Sequence, residues 1–344
     1  MEKYNFAKFE SKEQLEDIPI VNICEINNVE SGVPQDEQKL EYLNEKDVTA
    51  VYDEALRQNT ALPLFIGIPH AGEFIPKEVL PKIKDKKDFV DGLDRGTAII
   101  FSPREGENYI AARDKVSRLI ADANRGSRQF KQEEGKGIGG VTWKENLHGR
   151  SVYNEGQDPT DKEMANYVDK YYTPYYRGLH ALTASLYEKM GYKEILFLDV
   201  HSFPGNVDIP KYNIKGADQK PLFILGNKDN SSASQEISLA FKDALIKHAP
   251  SKEEYPEIYE IISDTVTLNE PFSGVRNVQY WGHPEGINTD MTTMPHKIHA
   301  IQLEMNMSAF FKDDKYNFKH VELLRQTVQK AIEDIGDKLK QIQK

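Results

Sequence analysis

The sequence predicts an α/β domain in which helices cover both faces of a buried sheet. Three apolar runs carry that expectation. Leu62 to Ile68 is almost wholly apolar and breaks at Pro69. EILFLDVHSFPG (194–205) repeats the pattern, with a histidine, a proline and a glycine closing it. KIHAIQLEMN (297–306) is apolar on both of its alternating faces until Glu304. Short runs of this kind are strands buried on both sides, and the segments between them carry helical periodicity.

In chain order, residues 1–17 read as a polar, acidic tail and IPIVNIC (18–24) as a first strand. A turn-prone stretch leads to a helix from Gln38 to Arg57, so that residues 1–60 decorate the N-terminus of a single domain whose catalytic core spans 60–311. After the 62–76 motif, a short helix would carry Asp88, Asp91 and Asp94 on a solvated face, followed by a strand over Ala98–Phe101. Tyr109 to Ala112 is a strand running into Arg113, Arg118, Asp122, Asn124, Arg125 and Arg128, a carboxylate clamp or a set of surface ion pairs. The glycine-rich loop 133–143 lacks a phosphate-cradling pattern and reads as a mobile flap.

A long helix runs from Thr160 to Met190, with Met164, Val168, Tyr171, Tyr175, Leu179, Leu182 and Leu186 facing the core. Pro174 should kink or divide it, and Gly191 closes it. PLFILG (221–226) is a strand, 231–248 an amphipathic helix, and 269–286 a loop leading to a strand near Val278–Trp281. Residues 317–344 form an amphipathic C-terminal helix.

Composition limits the function. The chain has 344 residues, 39% hydrophobic and 29% charged, with net charge −11 and one cysteine, Cys24. No basic block suits nucleic acid or an anionic membrane surface, and no apolar run reaches a membrane span. The single cysteine excludes a thiolate zinc cluster, and the polar N-terminus points to a cytoplasmic protein.

Chemistry concentrates at the strand ends. His70 and Glu73 have the spacing H-x-x-E, which lets one turn offer an imidazole nitrogen and a carboxylate oxygen to a metal, with Gly72 clearing the space between them. That spacing is common by chance. It gains weight from His201, which ends a second buried strand and suits a distant third ligand. Asp199 shares its strand face and suits a supporting acid. Glu304, a carboxylate at the end of an apolar run, is the best general base in the chain.

The stretches PHAGEFIP, RDKVSRLIADANR, YYTPYYRGLH, LFLDVHSFPG, NEPFSG and HAIQLEMN occur in that order between residues ~64 and 310. Together they resemble the N-formylglutamate amidohydrolase (deformylase) family. The resemblance implies a phosphorylase/hydrolase-like α/β fold, a mixed sheet flanked by helices on both faces and related to zinc carboxypeptidases. It further implies one zinc or other divalent ion, a place in histidine catabolism, and a small acidic N-acyl amino acid as substrate. His70, Glu73 and His201 become the ligands and Glu304 the base. Asn124 and Arg125 fall where a substrate carboxylate would bind, with Arg113, Arg276 and His180 as further substrate-side residues. The chain departs from the family pattern at Ala71 (commonly serine), Tyr176 (often histidine), Asn306 (commonly arginine) and Val275-Arg276, where a second glycine is usual. A carboxypeptidase or cell-wall amidase acting on a larger peptide, and a non-catalytic metabolite binder, remain alternative readings.

Overall fold

The computed structural model describes residues 48–85, 92–127, 140–146, 148–205, 220–260, 262–282, 297–312 and 315–343. Residues 1–47, with the expected 18–24 strand and Cys24, lie outside it. So do Asp88, Asp91, Arg128 and the loop 131–139.

A seven-stranded sheet organises the chain, in the order β1-β3-β2-β4-β7-β5-β6. Its strands are β1 (Thr49–Tyr52), β2 (Leu64–Ile68), β3 (Ile110–Asp114), β4 (Glu194–Phe203), β5 (Phe223–Gly226), β6 (Val266–Leu268) and β7 (Lys297–Asn306). The central pairings β3-β2, β2-β4 and β4-β7 are parallel, while β1-β3 and β5-β7 are antiparallel, so the sheet is mixed as expected. The 2.0 periodicity of the strands separates two cores. Phe65, Ile110, Phe197 and Ala300 pack on one face, and Leu64, Ile66, Leu198, Ile301 and Leu303 on the other.

Helices cover both faces. On the first lie α4 (Thr173–Glu188) and α6 (Arg276–Gly282), with Trp281 edge-on to Phe65 at 5.3 Å between ring centroids. On the second lie α2 (Thr97–Phe101), α5 (Gln235–His248) and α7 (Phe318–Ile342). No helix of the described residues is long and apolar enough to cross a membrane.

The helix expected over 160–190 forms in three parts. Thr160 caps α3 (Asp161–Tyr167) through a reciprocal pair with Glu163. A wider π turn (Val168–Tyr172) follows, and α4 begins with Pro174 in its first turn. Proline lacks an N–H and its ring displaces the carbonyl one turn back, which widens the helix just upstream. The Thr173 hydroxyl takes up the Val168 carbonyl at 2.9 Å. Gly191 follows α4 with φ 71°, a conformation suited to glycine.

Three expectations about local structure are corrected. The described part of the expected 38–57 helix is β1 followed by the one-turn helix α1 (Glu54–Arg57). Thr49, Val51 and Tyr52 favour a strand, and β3 supplies the edge they pair with. Ala98–Phe101 and Val278–Trp281 are helical rather than extended, because a short apolar run fits either state. In α2 the Thr97 hydroxyl bonds the Asp94 carbonyl at 2.6 Å, and Arg325 of α7 bonds the carbonyls of Ile99 and Ile100 at 2.8 and 2.9 Å. In α6, Val278 and Trp281 at i and i+3 face the sheet together.

Arg325 also pairs with the buried Glu107 at 2.6 Å. Removing it strands a buried carboxylate and uncaps α2. Arg325→Met should therefore lower unfolding stability by about 3–5 kcal/mol in chemical denaturation, whereas a loss below about 1 kcal/mol would show the pair to be dispensable.

Candidate metal centre and active site

The carboxyl ends of β2 and β4 meet a buried cluster of ionisable groups. Beyond Ile68 the chain bends at His70, and Phe74 bonds back to β3's continuation, its N–H to Lys115 O at 2.9 Å. Gly72 is required there, because a Cβ would stand 2.1 Å from the Val116 carbonyl oxygen. This segment holds His70 buried at the strand end and Asp94 beside it, the Asp94 N–H donating to His70 O at 3.1 Å.

His70 Nδ1 lies 3.2 Å and His201 Nδ1 2.7 Å from the same Asp94 Oδ2. The two rings stand 4.7 Å apart. Their other nitrogens are each engaged by a second carboxylate: His70 Nε2 with Asp122 Oδ1 at 2.8 Å, and His201 Nε2 with Asp199 Oδ2 at 2.9 Å. This is the arrangement in which a metal-ligating histidine is oriented through its far nitrogen. The candidate ligand atoms of His70, Asp94 and His201 lie within 4.8 Å of one another.

The supporting carboxylates are themselves anchored. Arg118 spans Asp94 and Asp122, at 3.2 Å to each. Trp143 donates its indole N–H to Asp122 at 3.0 Å. Asn277 donates its amide to Asp199 at 2.8 Å, and the Tyr176 hydroxyl donates to Asn277 Oδ1 at 2.5 Å. Glu304 stands beside His201 on the neighbouring strand and is almost fully buried.

The electrostatics follow from this packing. Burial alone would raise the carboxyls of Asp94 and Asp122, but His70 with Arg118, and His201 at Asp94, hold both below the usual range. Burial disfavours a charged His201, yet Asp199 and Asp94 raise its pKa well above the ordinary histidine value. Glu304 is pushed up to about 7, mainly by burial, with His201 pulling it down and Asp94 pushing it up. Among the described residues, four buried carboxylates (Asp94, Asp122, Asp199, Glu304) gather around one guanidinium, Arg118, paired directly with Asp94 and Asp122. A divalent cation among the Nδ1 atoms and Asp94 matches both the donor set and the excess negative charge.

The structure redistributes the residues expected from sequence. His70, His201 and Glu304 come together. Glu73 does not join them: Phe74 after it is buried, while Glu73 is exposed near Arg113 and Arg95. The protein packed around its carboxyl still raises its pKa, although its surface remains open. Asp94, expected on a solvated helix, takes the position by the histidines instead.

Arg113 aligns with Ile68 of β2, so its side chain leaves the sheet on the face opposite Asp199 and His201 and does not reach the cluster. Arg118 serves as the counterion of Asp94 and Asp122. Asn124 supports the cluster from within, its amide 3.3 Å from Asp199 and 3.1 Å from His201 Nε2, and its carbonyl oxygen accepting the Asn277 N–H at 3.0 Å. His180 lies a turn beyond Tyr176 against Trp281, with Nε2 2.8 Å from the Tyr280 hydroxyl, and burial lowers its pKa to about 4. Its partners are those aromatic side chains rather than the cluster.

Arg125 is buried and donates to the Asn124 carbonyl at 2.7 Å. Arg276 is half-buried over Tyr280, and its Nε has no hydrogen-bond partner among the described residues. The end of the expected flap is fixed rather than free: Val141 and Trp143 are buried, and Val141 O accepts the Asp122 N–H at 2.7 Å.

Sequence reasoning missed Asp94, Asn277 and Trp143 as parts of the site. Only Asp94 carried a usable signal, as an acid two residues before the αL glycine Gly96 and the apolar turn of α2.

Two histidines, a bridging aspartate and a separate glutamate are gathered at one end of the mixed sheet, and His70, Asp94 and His201 form a possible metal site. The chain belongs to the N-formylglutamate amidohydrolase family, whose model matches residues 62–311. It is similar in fold to an N-formylglutamate amidohydrolase from Ralstonia eutropha JMP134, at 18% identity over 85% of this chain and 98% of that one, with TM-score 0.67. It is similar also to a gene product of Agrobacterium tumefaciens, at 16% identity over 87% and 98% of the two chains, with TM-score 0.50. A metallo-carboxypeptidase from Burkholderia cenocepacia aligns at 12% identity over 80% and 57%, with TM-score 0.28. No curated protein matches the chain.

The cluster separates two candidate ligand sets. Asp94→Asn should abolish stoichiometric metal binding in elemental analysis, while Glu73→Gln should retain it. Asp122→Asn, which removes only the support of His70, should weaken metal affinity ~10- to 100-fold. Loss of metal in Glu73→Gln with retention in Asp94→Asn would reverse the assignment.

Proposed function

We propose that this chain hydrolyses the amide bond of a small acidic N-acyl amino acid, with N-formyl-L-glutamate giving formate and L-glutamate as the leading case. The supporting observation is the pair of histidine Nδ1 atoms facing Asp94, with Glu304 beside them on the neighbouring strand, in a chain of this family. His70, Asp94 and His201 would hold one zinc ion. When bound, that ion supplies a water of lowered pKa and polarises the scissile carbonyl.

The chain's own residues do the rest. Asp122 and Asp199 keep each histidine's Nε2 occupied, so that Nδ1 presents its lone pair to the metal. Glu304 accepts a proton from the attacking water and returns it to the nitrogen of the leaving amino acid. Arg276, whose Nε has no hydrogen-bond partner among the described residues, receives a substrate carboxylate, and Arg125, whose charge acts on Asp122, adds positive charge to the site. A local cation is needed, since the net charge of −11 opposes an anionic substrate.

Formate release from N-formyl-L-glutamate by the zinc-loaded protein tests the reading. Glu304→Gln should retain metal while kcat falls by roughly 10² to 10⁴. Near-normal kcat in that variant would remove Glu304 from the mechanism.

The pH dependence has a defined sign. A base must be ionised, so kcat/KM falls as pH drops through the Glu304 pKa. Burial sets that pKa at about 7 and a bound cation draws it lower, which places the acid limb at or below about pH 7. A limb rising above that value would contradict the assignment.

Arg276→Lys keeps the charge and loses the bidentate fork, so it should raise KM with little change in kcat. Unchanged KM in both Arg276→Lys and Arg276→Ala would assign Arg276 to structure.

A further inference from the structure

We infer that Gln302 is a positioning residue for Glu304 and ties the base to the segment that carries Arg276. The inference rests on the reading of Glu304 as base. Gln302 precedes Glu304 by two residues on β7, so both side chains leave the same face of the sheet, and both are nearly fully buried.

The Gln302 amide has one orientation here. Its Oε1 accepts the Val275 N–H at 3.1 Å, which leaves the NH₂ end to donate to Glu304 Oε1 at 2.5 Å. The reversed amide would set its NH₂ against a backbone N–H and its oxygen against a carboxylate, two repulsive contacts in a buried place. The bond engages one carboxylate oxygen and leaves Oε2 as the oxygen free of it. Gln302 therefore selects which oxygen of Glu304 faces the reaction and holds the plane of the carboxylate.

The anchor for this arrangement is firm. Val275 follows Gly274, which packs against β5 so closely that a Cβ on Gly226 would stand 2.5 Å from the Gly274 nitrogen. The preceding Ser273 carbonyl accepts the Lys228 N–H at 2.8 Å. On the other side, Asn277 is bonded to Asn124 and Asp199. Residues 273–277 thus form one braced segment that carries Arg276 and in which Val275 sets Gln302. The proposed substrate anchor and base are thereby linked through Val275 and the Gln302 side chain.

A double-mutant cycle on the zinc-loaded full chain, with N-formyl-L-glutamate as substrate, tests this. Gln302→Met has nearly the same volume and loses both hydrogen bonds. It should lower kcat ~10- to 100-fold, as expected for a misplaced catalytic group, with KM within about threefold and metal content unchanged. Gln302→Glu keeps the acceptor for Val275 and the side-chain shape, and should also lower kcat. In a Glu304→Gln background, Gln302→Met should add less than about a twofold loss, because the residue acts through the base. The proposal is overturned by kcat within about twofold of wild type in both single variants, or by losses that multiply in the double variant. Near-normal kcat in Glu304→Gln alone overturns the base assignment itself, an outcome distinct from failure of the Gln302 link.

Discussion

Four carboxylates and two imidazoles buried at one end of a sheet are the constraint on which the rest of the structure depends. Each group would be costly to bury alone, and removing any partner leaves a charge without compensation. Arg118 offsets part of the negative charge from within the chain, and the geometry of the two Nδ1 atoms leaves a place for a cation to offset more. The neighbouring polar groups of Trp143, Asn124, Asn277 and Tyr176 are spent on orienting these charges rather than on the chain's own secondary structure.

The fold supplies rigid ends from which to aim them. His201 and Glu304 stand on adjacent parallel strands, paired residue to residue and packed on both faces, so their separation is set by sheet geometry. Asp94 is delivered by a turn that α2 terminates, and α2 is in turn held by Arg325 of the C-terminal helix. The arginines proposed for the substrate carboxylate come from less regular places: Arg125 from a turn after β3, and Arg276 from the start of α6. Of the positions where this chain departs from the family pattern, Tyr176 braces Asn277 against Asp199 and Arg276 opens α6.

Much of this was legible in the sequence. The apolar runs ending in His70 and His201 marked the site-bearing strands, and Glu304 stood out because an ionised group at the end of such a run needs a partner. The H-x-x-E spacing does not by itself place the Glu73 carboxylate: past the bend at His70 the chain buries Gly72 and Phe74 and leaves Glu73 exposed between them. Asp94 was hidden among Asp88 and Asp91, where three acids on a short segment look like a solvated face. Arg113 was misplaced for a related reason: in a strand, one residue of register decides the face, and Asp114 rather than Arg113 shares the side of Asp199. Asn277 carried no local signal at all, because its role exists only once α6 is set against Asp199.

The account turns on where the ion sits. The most direct measurement is a crystal structure of the zinc-loaded protein with anomalous scattering collected at the zinc edge. The peak should lie ~2.0–2.2 Å from His70 Nδ1, His201 Nδ1 and an Asp94 carboxylate oxygen, with Glu304 outside bonding distance. A peak bonded to Glu73, or to the Nε2 atoms here held by Asp122 and Asp199, would contradict it.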